Sequence, residues 1–203
     1  NLNNIVFNKV EKSIQIDAFS KQEDNATEID ATKEILEIHA ALVNTNIQLK
    51  KLDEEKKIIE LTLRKFTGSI AKNIHGICNY KYKKGSSRFD NKKFEIDHPI
   101  LFQKFGKDSI NPNFTIKKQP ILKKSSIRID LENNIKIQKY KSCFENIDNN
   151  EATKDLHHKW LSVHVKKQPL EIQRDELILD MKLRCGENYG IKDVCSWSRK
   201  KIK

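Results

Sequence analysis

Glu60-Leu61-Thr62-Leu63, followed by Gly68, Ile74, Ile77-Cys78-Asn79-Tyr80 and Lys81-Tyr82-Lys83-Lys84, decides how this chain is organised, because the pattern returns near the other end. The later version runs Glu176-Leu177-Ile178-Leu179, Gly186, Ile191, Val194-Cys195-Ser196-Trp197 and Ser198-Arg199-Lys200-Lys201. The cysteines at 78 and 195 and the aromatics at 80 and 197 keep the same spacing. Each copy reads as a long amphipathic helix, a Gly break, and a short strand ending in an aromatic and a basic cluster. An internal repeat constrains organisation before any propensity does, and it makes a single catalytic constellation an awkward first guess.

Upstream of the first copy, apolar residues fall at Ile35, Ile38, Leu42, Leu49, Leu52, Ile59, Leu63 and Phe66, with Thr45 and Lys56 as polar interruptions. Steps of three and four hold a heptad register, so residues 31–66 are predicted to be a helix, opened by Asp30, that buries its stripe against another helix. The second copy repeats this with Leu156, Trp160, Val163, Leu170, Leu177 and Met181 over 154–183, opened by Thr153 or Asp155. Pro169 interrupts it and predicts a kink near Gln168, since an interior proline costs about 3 kcal/mol unless the helix bends or breaks.

Downstream of each helix the period changes to two. Cys78, Tyr80 and Tyr82 alternate with Asn79, Lys81 and Lys83, and His75-Gly76 suits the turn of a hairpin. Beyond the Gly85-Ser86-Ser87 turn, Pro99 suits the first position of a short helix after Asp97-His98, and Phe114-Thr115-Ile116 reads as one more strand. These readings divide the chain into 1–30, the end of an upstream domain with a linker; 31–118, a helix plus β/aromatic module; 119–150, a partly disordered linker; and 151–203, a partial second repeat. The fold class is α+β, with long heptad helices and small β-hairpin elements in two unequal repeats.

Composition narrows the function. The net charge of +11 in 203 residues favours a polyanion, because cations that neutralise phosphates release condensed counterions. Abundant Lys, Asn and Ile also follow from AT-rich coding, which would make part of that charge incidental. Four cysteines without a C-x-x-C pair point to reduced thiols in a cytoplasmic protein. No apolar run reaches the roughly 18 residues that cross a bilayer, and no membrane partner is expected. With Met181 its only methionine, the chain reads as an internal or C-terminal piece of something larger.

Arg88-Phe89-Asp90-Asn91-Lys92-Lys93-Phe94, then Asp97-His98-Pro99-Ile100-Leu101-Phe102-Gln103-Lys104-Phe105 and the strand Phe114-Thr115-Ile116, give residues 5–118 an ordered series of elements. This series resembles the C-terminal region of YqaJ-type phage recombination exonucleases, of the lambda-exonuclease-like PD-(D/E)XK nucleases. Residues 152–201 look like a second, partial copy without the R-F-D and H-P elements. The resemblance implies a Mg²⁺-dependent DNA exonuclease as parent, its nuclease domain lying before Asn1, and no cofactor or catalytic residue in this chain. It implies DNA as partner, with a single-strand annealing protein or a second copy beside it.

The residues themselves agree. The Glu-x-Lys matches, Glu54-Glu55-Lys56 and Glu55-Lys56-Lys57, sit on the charged flank of a helix and read as a solvated face rather than a metal site. His157, His158 and His164 lack a partner Cys or Glu at ligand spacing. The expected DNA contacts are Lys81, Tyr82, Lys83, Lys84 and Arg88 in one copy and Arg199, Lys200 and Lys201 in the other, where cations stand beside aromatic rings that can stack on unpaired bases. Tyr80 and Trp197 are expected in the core. The alternative is a helical module that oligomerises or holds a protein partner through its heptads, without nucleic acid.

Overall fold

Two helices of 34 and 35 residues carry the chain. The computed structural model describes residues 11–17, 27–67, 71–79, 89–105, 109–135 and 142–202, and leaves aside the side chains at 71–72, 109–111, 142–145 and 199–202. The elements are α1 (residues 11–17), β1 (Glu28–Ile29), α2 (Lys33–Phe66), β2 (Ala71–Ile74), α3 (Asn91–Asp97), α4 (Pro99–Phe105), β3 (Ser109–Ile116), α5 (Ser126–Asn134), β4 (Ser142–Ile147), α6 (Glu151–Cys185), β5 (Gly190–Ile191) and β6 (Cys195–Ile202). The fold is mixed α+β, with two long helices and small sheets.

Local chemistry sets the helix ends. Thr32, not Asp30, caps α2: its Oγ1 accepts from the Ile35 N–H at 3.3 Å. At α6 the cap is Asn150, whose Oδ1 accepts from the Thr153 N–H while Thr153 Oγ1 accepts from the Asn150 N–H, both at 2.9 Å. This reciprocal pairing satisfies two otherwise orphaned donors. Glu34 and Glu151 lie in the first turns, and Arg64, Lys65, Lys182 and Arg184 in the last, each matching the helix dipole. Gly186, at φ +55°, closes α6 in the left-handed conformation that glycine adopts without penalty. Pro169 stays inside α6 and does not end it.

The chain forms two compact units, and α2 and α6 each contribute to both. Unit 1 comprises Asn1–Leu42, Gly85–Gln119 and Asp175–Lys203. Its four-stranded sheet has the order β1-β5-β6-β3: β1 is parallel to β5, the others are antiparallel, and β3 pairs with β6 from Ser109↔Ile202 to Ile116↔Cys195. Gly190 is required where β5 crosses β6, because a Cβ there would meet the Cys195 carbonyl oxygen at 2.6 Å. The core joins Ile35 of α2, Met181 and Cys185 of α6, Ile191, Val194, Cys195 and Trp197, with Phe114 and Ile116 packed against it. The Cys185 thiol beside Cys195, together with the Ile191 backbone and Lys117, lowers the Cys195 pKa against the opposing effect of burial.

Unit 2 comprises Val43–Lys84 and Pro120–Arg174. Its core joins Ile59, Leu63, Ile74 and Val163, flanked by Leu52, Ile77, Leu156 and Trp160. Lys167 meets Asp53 at 2.6 Å and Trp160 meets Glu60 at 3.3 Å, pairs that step in opposite directions, so these segments of α2 and α6 are antiparallel. Here β2 and β4 form a two-stranded parallel sheet. The stretch 119–150, read from composition as a linker, carries β4 and α5. Ser125 caps α5 through the Arg128 N–H, and Glu54 of α2 accepts from both the N–H and the hydroxyl of Ser125.

The repeat is visible as backbone geometry. In unit 2, Ile74-His75-Gly76-Ile77-Cys78 forms a tight turn with an antiparallel bridge Ile74↔Cys78 and Gly76 at φ +73°. In unit 1, Ile191-Lys192-Asp193-Val194-Cys195 forms the same turn with the pairing Ile191↔Cys195 and Asp193 at φ +62°. Ile74 pairs in parallel with Ile147, and Ile191 in parallel with Ile29. The His75 N–H donates to the Ile147 carbonyl at 3.0 Å, as the Lys192 N–H does to Ile29 at 2.9 Å. The expected hairpin turn at His75-Gly76 thus comes with an additional parallel strand on its outer side.

The R-F-D and H-P elements make a helical corner. Asp90 caps α3 through the Lys93 N–H at 3.0 Å, and Pro99 starts α4. Phe94 gathers Phe89 at 5.1 Å, His98 at 5.2 Å and Phe102 at 6.5 Å between ring centroids. Outside that cluster Ile96, Ile100 and Phe105 are 78%, 79% and 69% exposed. Among the described residues, no helix is long and apolar enough to cross a membrane.

Candidate nucleic-acid interface

The residues expected to meet DNA fall in two groups. Lys81, Tyr82, Lys83, Lys84, Arg88 and the aromatic Tyr80 lie outside the described residues. Arg199, Lys200 and Lys201 lie on β6, paired with Pro112, Asn111 and Ile110 of β3. Trp197 is core: it is buried against Phe114 at 4.8 Å, and Lys182 Nζ stands 5.7 Å from its ring. It therefore offers no face for stacking.

Unit 2 assembles a cationic cleft that linear reading missed. Lys50 and Lys51 of α2 meet Lys123, Lys124 and Arg128, from the start of α5 and the residues before it, around a cavity of about 530 Å³. Ile121 and Leu122 form its apolar wall. Its carboxylates are already engaged. Asp53 is bonded to Lys167, while Glu54 accepts from Arg128 Nη1 at 2.7 Å and from Ser125 at 2.9 and 2.8 Å. Hydrogen bonds from Arg128 and the Ser125 backbone hold the Glu54 pKa down from 4.5 to about 2, so its charge persists. Lys50 donates to the Pro120 carbonyl and Lys124 to Glu132. Lys51 and Lys123 are exposed and have no ion pair among the described residues. The cleft therefore keeps a positive balance with two cations free to meet an anion.

A second cleft, of about 330 Å³, opens in the same unit at the repeat turn. Leu63, Ile77 and Cys78 give it apolar lining; Glu60, Arg64, Asn79 and His157 bring polar groups. Trp160 forms one wall, its Nε1 donating to Glu60 Oε1 at 3.3 Å. Lys56 Nζ lies 4.5 Å from the Trp160 ring centre, and the His164 ring stacks with Trp160 at 5.4 Å. Asn79 leads in the sequence directly to Tyr80-Lys81-Tyr82-Lys83-Lys84.

Of the three histidines weighed as ligands, His157 and His158 stack at 6.5 Å and His164 lies on Trp160. Among the described residues, no group of three or more His, Cys, Asp or Glu is arranged to hold a metal ion. Glu54 and Glu55-Lys56 lie on helix α2, where Glu54 is spent on Ser125 and Arg128.

No family model matches this chain, and no curated protein or solved structure matches it either.

Proposed function

We propose that this chain is a non-catalytic DNA-binding region of a phage-type recombination exonuclease resembling YqaJ, with the chemistry and its Mg²⁺ carried by another part of the parent protein. The observation that carries this reading is the cationic cleft of unit 2, where Lys51 and Lys123 stand beside two lining carboxylates, Asp53 and Glu54, that are both already paired. Such a face follows a phosphate backbone without regard to sequence, and its affinity falls with salt. In the sequence, the basic run at 81–84 adds further cations that a phosphate backbone can meet.

The test is binding to labelled DNA over a range of salt concentrations. Lys51→Gln with Lys123→Gln should lower affinity for all sequences alike and flatten the salt dependence by about 0.7–0.9 for each phosphate that is no longer neutralised. Replacing Lys81, Lys83, Lys84 and Arg88 with Ala measures the second stretch. Linear duplex incubated with the chain and Mg²⁺ should stay intact. Absence of salt-dependent binding in the parent chain would overturn the reading.

The second reading, a helical module that oligomerises or holds a protein such as a single-strand annealing partner, is favoured by the exposed apolar surface of α3 and α4. Exposed apolar side chains that lie together are a feature of interaction sites. Removing Ile96 and Ile100 side chains together would reduce self-association or partner capture under that reading and leave DNA affinity unchanged.

A further inference from the structure

We propose that the cleft at Trp160 receives one unpaired nucleobase, preferring a base with an exocyclic amine. This inference rests on the DNA-binding reading and adds a contact to bases beside the contact to backbone.

Size and chemistry both select a base. A cavity of about 330 Å³ is at the small end of ligand sites, enough for one heterocycle with part of its sugar. Leu63, Ile77 and Cys78 offer apolar surface to a flat ring. Glu60, which shares the lining with Arg64 and His157, is the acidic group among these residues. A carboxylate repels a phosphate but accepts from an amine, the contact acidic side chains make to cytosine N4. Glu60 has capacity left, because its two partners, the Trp160 Nε1 at 3.3 Å and Lys57 Nζ at 3.6 Å, are both distant for a group with about four lone-pair sites. Asn79, exposed at the rim, supplies both a donor and an acceptor. A phosphate flanking the base would find Lys56, whose Nζ stands beside the Trp160 ring.

Thymine has no exocyclic amine, so the proposal makes a base preference, and a nucleotide without its base is the control. Labelled oligo-dC, oligo-dT and an abasic strand of equal length are titrated against the full chain at several salt concentrations by anisotropy. Oligo-dC should bind roughly tenfold tighter than the abasic strand, the size of one good base contact, with oligo-dT nearer the abasic value. Glu60→Met, close in size but without an oxygen acceptor, should erase the dC/dT difference and leave the salt slope intact. Asn79→Trp, which adds bulk at an exposed rim position, should erase it too without burdening the core. Equal affinity of the parent chain for all three strands, with a retained salt slope, overturns the base site and leaves backbone binding standing. If none of the strands binds in a salt-dependent way, the DNA reading falls and the base site with it.

Discussion

The turn at 74–78 and the turn at 191–195 share backbone geometry, down to one left-handed residue at the third position, yet their surroundings differ. In unit 1 the strand leaving the turn pairs with β3 over eight positions, and Ile191, Val194, Cys195 and Trp197 are all buried. In unit 2 Ile77 and Cys78 are only half-buried and line an open cleft. Among the described residues, a single local motif is covered by a second strand in unit 1 and lines a cleft through Ile77 and Cys78 in unit 2. Position in a repeat does not fix the role; the neighbour packed on it does.

Breaking the covered copy should have the largest effect. Trp197→Ala removes a buried ring from the Phe114 contact and should cost about 3–5 kcal/mol. Val163→Ala, in the core of unit 2, removes only two methyl groups and should cost roughly 1–2 kcal/mol by the same melting measurement. Equal losses would mean that β3 adds no protection.

The turns can be set against each other directly. At Gly76 a Cβ would meet Asn149 Nδ2 at an ordinary 3.8 Å, so Gly76→Ala should cost only the left-handed penalty of about 1–2 kcal/mol. Asp193→Gly relieves that conformation but forfeits the ion pair with Lys118, and should change stability by less than about 1 kcal/mol. A large loss at Asp193 would show that the two turns are not equivalent.

The α5 tie of unit 2 can be set apart from both turns by its pH response. Glu54 has its pKa depressed in the folded state, so its contribution is complete above about 4.5 and is lost as pH falls toward about 2. Glu54→Gln should lower stability at neutral pH, and the gap from the parent should close across that acid window. A gap that stays constant to pH 2 would remove Glu54 from the charge pairing described for unit 2.

The long helices were legible because heptad spacing is a local signal: Leu42, Leu49, Ile59 and Leu63 are buried as the stripe requires, whereas Phe66, counted in it, is exposed and Thr45, read as an interruption, is buried. The turns were legible from the repeated Ile and Cys. The two-residue β1 was not, since Glu28-Ile29 becomes a strand only by pairing with Gly190-Ile191. Nor was α5, whose Ser125 cap is held by a carboxylate 71 residues away in sequence. The cationic cleft was illegible for the same reason: Lys51 and Lys123 are ordinary surface lysines until α2 and α5 bring them together. The basic runs at 81–84 and 199–201 were conspicuous in the sequence because their cations are adjacent, a signal that carries no information on what they face.

The segments of the two units alternate along the sequence, an order that bears on assembly during synthesis. Every segment of unit 2 has left the ribosome once Arg174 has emerged, whereas the sheet of unit 1 needs β1 at residues 28–29 to find β5 and β6, more than 150 residues later. At about 5–20 residues per second the nascent chain passes through an interval with one unit able to close and the other still missing two strands. During that interval the start of α2, with Ile35 on it, is without the Met181 and Cys185 that cover it in the finished core. Slow long-range pairing of this kind is where a folding chain is open to aggregation or to chaperone capture.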